Sequence, residues 1–169
     1  GWSVATTLDL LDRLVAAGIY EEREGYRFRH DTLREAVYDL QGADRRALLH
    51  ATIASTLEQD YLAGAANAPD VAVLAHHFLR GGPSLDAQAA HYATLAGDRA
   101  AALFAPHEAA ARYRDALERT PDDKRAVLYE RLGRALAATG EHSAAVETFE
   151  GALRLVPGPL AGDELARAR

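Results

Sequence analysis

The chain contains no cysteine and no methionine among its 169 residues, and it has a single tryptophan. Without cysteine there is no disulfide, no thiol chemistry and no thiolate metal site, which fits a reducing, cytoplasmic compartment. No apolar run is long enough to cross a bilayer and no signal peptide opens the chain, so we expect no membrane association. The missing initiator methionine leads us to expect a fragment of a longer protein.

Positive charge is also scarce, because the net charge is −6 and residues 1–60 hold eleven acidic against seven basic side chains. Nucleic-acid binding needs clustered cations, so we expect that this chain does not bind nucleic acid directly. The sequence has no phosphate-binding loop of the Gly-x4-Gly-Lys-Ser/Thr type and no Gly-x-Ser-x-Gly motif. It therefore predicts a non-catalytic chain with no cofactor or metal of its own.

The C-terminal third carries the spacing of a tetratricopeptide repeat, in which small residues stand where two antiparallel helices approach and large residues fill the gaps between them. The matching positions are Tyr129, Leu132, Gly133, Leu136, Gly140, Ala145, Phe149, Ala152 and Pro157. Such a unit cannot bury its own apolar face and must stack on neighbours. The pattern indicates a surface that holds other proteins.

A second repeat precedes it, with two residues more than the usual 34 between corresponding positions. Its landmarks are Gly97, Ala109, Tyr113, Ala116 and Pro121. The sequence thus predicts a mainly α fold, an α-solenoid of tetratricopeptide-like helical hairpins over 43–169. Its pairs are expected at 44–80, 85–121 and 123–157, with the start of another at 160–169.

A smaller domain is predicted over 1–42. Apolar residues at helical spacing indicate a helix over 7–17, and segments 19–22 and 26–29 flank a short turn typical of a β-hairpin. A second helix begins at Asp31 or Thr32, which can cap it, and Thr32 with Glu35 fits a capping box. Its apolar residues Leu33, Val37 and Leu40 are predicted to be buried. Helix, hairpin and helix in this order indicate a partial winged helix with one small β-hairpin.

Segments 10–19, 26–38, 44–50 and 74–78 together resemble the region that follows the nucleotide-binding core in signal-transduction ATPases with numerous domains, the STAND class. The resemblance is to large bacterial LuxR-type transcriptional activators and to multidomain adenylate or guanylate cyclases that carry an ATPase module. It implies an ATPase domain, using ATP and ADP, before this chain, and a helical array that senses a ligand or partner.

Within that resemblance, residues 28–34 are similar to the Met-His-Asp motif of the class. The resemblance implies that His30, flanked by Arg29 and Asp31, faces the β-phosphate of ADP in the longer protein. A helix start offers free N–H donors to phosphate, which suits such a contact. The alternative is that His30 only packs at the junction of hairpin and helix.

A partner-binding groove is the remaining candidate site. In such arrays the first helix of each pair lines the concave face, which here predicts His91, Thr94, Asp98, Val127, Glu130 and Arg134. Mixed charge suits a protein partner or an intramolecular domain, although ordinary solvated helix faces would look the same. Exposed ends of the stack would also allow self-association.

Three histidines, His50, His76 and His77, also stand out, but adjacent residues of one helix point about 100° apart. We expect polar links between helices or half-exposed side chains there, and no metal.

Three functions remain open. The first is a regulatory fragment of a STAND ATPase, of the LuxR type, which couples nucleotide state to the helical array. The second is a free-standing tetratricopeptide adaptor or scaffold, and the third is a regulatory region of a nucleotide cyclase.

Overall fold

The computed structural model describes residues 3–23 and 25–155, and these form two compact units, Gly1–Arg46 and Ala47–Arg169. The described part is mainly helical, with eight α-helices and one antiparallel β-hairpin. The predicted class, helical hairpins preceded by one small β-hairpin, is confirmed. The two units divide a few residues after the predicted domain boundary at 42/43.

The first unit contains helix α1 (Val4–Ala16), strands β1 (Tyr20–Glu22) and β2 (Tyr26–Phe28), and helix α2 (Asp31–Asp39). Ser3 begins α1, because its Oγ accepts a hydrogen bond from the backbone N–H of Thr6. The two strands are antiparallel, and the rings of Tyr20 and Phe28 pack with centroids 4.5 Å apart. The predicted order of helix, hairpin and helix is therefore observed.

Two details of α2 differ from the prediction. His30 is the capping residue and its side chain makes no capping hydrogen bond, so Thr32 lies inside the helix and the capping box does not form. Asp31 is the first residue of the helix instead of its cap, where its carboxylate interacts favourably with the positive end of the helix dipole and pairs with Arg34 at 3.3 Å.

The apolar stripe of α2 is exposed, and the prediction that it is buried was wrong. The exposed fractions are 40% for Leu33, 44% for Val37 and 83% for Leu40. Periodicity correctly identified the stripe, but no described element of the first unit covers it. This unit consequently presents a continuous apolar helix face.

In its described residues, the second unit is a series of six helices, the first of which begins within the last residues of the first unit. Their bounds are α3 (Ala43–Leu62), α4 (Val71–Arg80), α5 (Asp86–Ala102), α6 (Pro106–Arg119), α7 (Ala126–Thr139) and α8 (His142–Leu155). Short 3-10 turns lie at Pro83–Leu85 and Asp122–Lys124. Apart from Ala43, the first residue of α3, the helices fall within the predicted pairs 44–80, 85–121 and 123–157. The predicted start of a further repeat at 160–169 lies outside the described residues.

Two clusters of buried side chains form the interior of this unit. The α3–α5 core is built around Leu74, Phe78 and Tyr92, and the α5–α8 core around Tyr113 and Leu136. Helix α5 contributes alanines to both cores, because its small side chains face neighbours on two sides. The two cores are therefore continuous through α5.

The close approaches between helices occur where the repeat spacing predicts them. A Cβ atom at Gly97 would lie 2.6 Å from the ring of Tyr113, and one at Gly133 would lie 2.7 Å from the ring of Phe149. Both contacts join the first helix of a pair to the second, and they are 36 residues apart in sequence. The predicted pairing of a small residue with an aromatic is confirmed in both pairs.

Candidate functional site

A cavity of about 630 Å³ lies between α5, α6 and α7. Alanines form most of its floor, and charged or aromatic side chains stand around them. The lining residues are Asp98, Ala101, Phe104, Pro106, Ala109, Tyr113, Arg131, Arg134, Ala135 and Ala138.

A polar network fixes one wall of the cavity. Nη1 of Arg131 donates to both carboxylate oxygens of Asp98, at 2.8 and 2.6 Å. The hydroxyl of Tyr113 donates to the same carboxylate at 2.8 Å. Burial raises the pKa of Tyr113 to about 12, and the hydrogen bond to Asp98 adds to the shift. Tyr113 therefore remains a neutral donor at physiological pH, and the network links all three helices.

A second guanidinium lies beside this network. Nη2 of Arg134 contacts Oε1 of Glu130 at 2.6 Å, one helical turn away, and both side chains are largely exposed. The lining thus carries two guanidinium groups, from Arg131 and Arg134, and one carboxylate, from Asp98. The lining residues thus carry a net charge of +1, and Glu130, which pairs with Arg134, lies outside the lining.

Phe104 stands at the rim in an unusual backbone conformation. Four described helices end at a residue of positive φ, namely Gly18, Gly64, Gly140 and Phe104. In each case the N–H of that residue donates to the carbonyl three residues earlier, and the N–H of the next residue donates to the carbonyl five residues before itself. Gly140 occupies the corresponding place 36 residues later. A left-handed conformation costs about 1–2 kcal/mol for a residue with a Cβ atom. The Phe104 side chain is 93% exposed, so its packing does not offset that cost.

The six predicted groove residues lie on α5 and α7, and the structure brings only some of them together. Asp98 and Arg134 line the cavity, and Glu130 pairs with Arg134. The other three do not line it. The ring of His91 contacts Tyr92, the Thr94 hydroxyl donates to the carbonyl of Ala90, and Val127 is exposed.

Sequence reasoning missed Arg131 and Phe104 as site residues. Arg131 corresponds to Leu95 in the preceding pair, 36 residues earlier, where the side chain is apolar. Replacement of a core-type residue by a charged one at the same repeat position was the available signal. For Phe104 the corresponding signal was a phenylalanine at the position where the next pair has Gly140.

The residues of the predicted nucleotide motif lie in the first unit. Arg29, His30 and Asp31 are all exposed at the junction of β2 and α2. His30 is the residue immediately before α2, and its side chain makes no hydrogen bond to the N-terminal N–H groups of that helix. A contact with phosphate stays a prediction.

Three histidines form a cluster between α3 and α4. Nδ1 of His50 lies 3.0 Å from Nδ1 of His77, and the ring of His76 lies within 5.7 Å of the His50 ring. Nη1 of Arg80 contacts Nδ1 of His76 at 3.0 Å. The expected polar link between helices is thus present. Within residues 3–23 and 25–155, no group of three or more His, Cys, Asp or Glu side chains has the geometry to hold a metal ion.

Acidification is expected to destabilise this contact. Burial, together with the charges of Arg80 and neighbouring histidines, lowers the pKa of His50, His76 and His77; Arg112 of α6 adds to the effect on His76. Because the folded pKa values lie below the unfolded value of about 6.5, the stability from these groups is fully present above that pH and is lost as the pH falls from there through the folded pKa values.

Urea unfolding between about pH 7.5 and about pH 5.5 measures this loss as a falling midpoint. His77→Gln should reduce the fall, whereas His107→Gln, at an exposed position on α6, should leave it as large as in the unchanged chain. An equal fall in the urea midpoint for both variants would contradict a role for the histidine cluster.

Comparison of the chain with models of protein families, with curated proteins and with solved structures finds no match. Among the described residues, no helix is both long enough and apolar enough to span a membrane.

Proposed function

We propose that this chain is a non-catalytic, regulatory and protein-binding part of a cytoplasmic STAND-class signalling ATPase of the LuxR transcriptional type. The unit of α1, the hairpin and α2 couples the nucleotide state of an ATPase domain to the stacked helical pairs. The pairs bind a protein partner or another domain of the same protein. ATP or ADP binds elsewhere in the longer protein, with His30, Arg29 and Asp31 sensing the diphosphate.

The repeated glycine–aromatic contact carries the proposal. Gly97 against Tyr113 and Gly133 against Phe149 allow close packing within each hairpin, while α6 packs on α7 to join one hairpin to the next. Stacks of this kind offer extended faces built from many helices, and such faces bind proteins by contact. A regulatory helical array also needs an extended face for contact with a partner.

The exposed stripe of α2 favours a multidomain protein over a free-standing adaptor. Leu33, Val37 and Leu40 form a contiguous apolar face on a helix whose first residues include the proposed nucleotide sensor. Exposed apolar patches of this kind mark interaction surfaces. An ATPase domain against this face would place its nucleotide near His30.

The reading frame around this chain tests the proposal first. We expect a phosphate-binding loop upstream and a helix-turn-helix domain downstream. A frame without the upstream loop would favour the adaptor, and a cyclase domain would assign the chain to second-messenger synthesis.

A variant of the longer protein tests the sensor. His30→Ala should speed ADP release by about fivefold or more, because the proposed contact favours only the ADP-bound resting state. His142→Ala is the matched control, since His142 also opens a helix, α8, but lies in the stack. Equal ADP release from both variants and the unchanged protein would remove His30 from the mechanism.

A further inference from the structure

Phe104 combines a solvent-exposed aromatic ring with a strained backbone conformation. Its φ is +56°, a region that favours glycine, and the corresponding residue of the next pair is Gly140. Its ring is 93% exposed and gains almost no packing from the described residues. Strain that the fold itself does not need is typical of functional sites. A ligand that covers the ring would explain why phenylalanine occupies this position.

The cavity beside Phe104 has the size and surface of a small-molecule site. Its volume of about 630 Å³ lies within the usual range of about 300–1,000 Å³ for such sites. Ala101, Ala109, Ala135 and Ala138 supply a low apolar floor against which a flat ring can lie. With Phe104 at the rim, the cavity offers aromatic and aliphatic contact on two sides.

The charged side chains of the cavity wall favour a ligand of negative charge. Arg131 uses only Nη1 to hold Asp98, and its Nε and Nη2 make no hydrogen bond within the described residues. Arg134 uses only Nη2, on Glu130. The carboxylate of Asp98 is paired with Arg131 and accepts a hydrogen bond from the Tyr113 hydroxyl. Two guanidinium edges therefore remain for an anion, and Arg131 is held in place before it binds.

We propose that the cavity between α5, α6 and α7 binds a small aromatic carboxylic acid. Its ring lies between Phe104 and the alanine floor, and its carboxylate accepts hydrogen bonds from Arg131 and Arg134. This goes beyond the proposed function, because it holds whether the longer protein is a transcriptional regulator, a cyclase or an adaptor.

Titration of the 169-residue chain with 2-naphthoate, followed by methyl NMR, tests the proposal. We expect saturable shifts at the alanines of the floor. Naphthalene-2-methanol, which has the same ring and no charge, should bind at least about tenfold more weakly, because hydrogen bonds to charged groups are the stronger ones. Equal binding of the two compounds, shifts at other alanines, or no saturable shift with naphthoate would each overturn the proposal.

Variants separate binding from stability. Phe104→Gly should weaken naphthoate binding by about fivefold or more, while the midpoint of thermal unfolding stays equal or rises by up to about 4 °C. Arg131→Gln should reduce naphthoate affinity to that of the alcohol. Arg112→Gln removes a guanidinium outside the cavity that pairs with Glu108 and Asp115, and it should leave the affinity unchanged.

Arg134→Gln repeats the charge test if Arg131→Gln does not fold, because the Arg134 side chain is 75% exposed. Unchanged naphthoate affinity in both the Phe104 and the arginine variants would overturn the proposal. The capped dipeptide N-acetyl-Glu-Trp-amide presents the same chemistry from a peptide; tighter binding of this probe than of naphthoate would assign the cavity to a protein segment and likewise overturn it.

Discussion

Phe78→Ala is expected to lower the free energy of unfolding of the helical unit by about 3–5 kcal/mol. The Phe78 side chain is only 1% exposed in the α3–α5 core. Its ring stacks on that of Tyr92, with centroids 5.0 Å apart and planes 8° from parallel. Truncation removes this contact and leaves a cavity that the surrounding helices can fill only in part. Urea unfolding followed by circular dichroism measures the change.

The control for this prediction is the same substitution at Phe104, which is 93% exposed. Phe104→Ala should change the free energy of unfolding by less than about 1 kcal/mol, because no buried contact is lost. Comparable losses for the two variants would contradict the placement of Phe78 in the core.

Gly133→Ala is expected to destabilise the chain by about 1–2 kcal/mol, the reverse of the usual effect of alanine in a helix. The added methyl group would lie 2.7–2.9 Å from three carbons of the Phe149 ring. That ring is packed between helices, so α7 and α8 must move apart to admit the methyl. Crowding therefore exceeds the gain in helix propensity, which is about 1 kcal/mol.

Gly151 provides a matched control on α8. A methyl group there would meet the Tyr129 ring at 3.6 Å, an ordinary contact distance. Gly151→Ala should accordingly raise the free energy of unfolding by about 0.5–1 kcal/mol. If both substitutions stabilised the chain, the close approach of α7 and α8 at Gly133 would be refuted.

Residue spacing was sufficient to predict the helical pairs, because close packing of two helices restricts which residue types fit at the contact. Gly97 and Gly133 face aromatic rings as expected. The hairpin followed from the turn at residues 23–25 between two aromatic-containing segments. These are constraints within one segment or between two neighbouring helices, and they can be recognised in a single sequence.

Features that depend on a third element were not predictable in this way. Periodicity found the stripe of Leu33 and Val37 but not whether another element covers it. Helical spacing selected Glu130 and Arg134 but passed over Arg131, whose role depends on Asp98 of another helix. Glycine is the usual sequence signal for a helix that ends in a residue of left-handed conformation. Residue 104 is a phenylalanine, so the sequence did not predict that conformation there.

Helix α5 has a mechanical consequence for the molecule. Tyr92 on one side of it belongs to the α3–α5 core and donates to Glu58 of α3 at 2.8 Å, while Asp98, further along, holds Arg131 of α7. Because α5 is hydrogen-bonded to both neighbours, it ties α3 to α7. A substitution that displaces α5 is therefore expected to disturb both the α3–α5 core and the cavity.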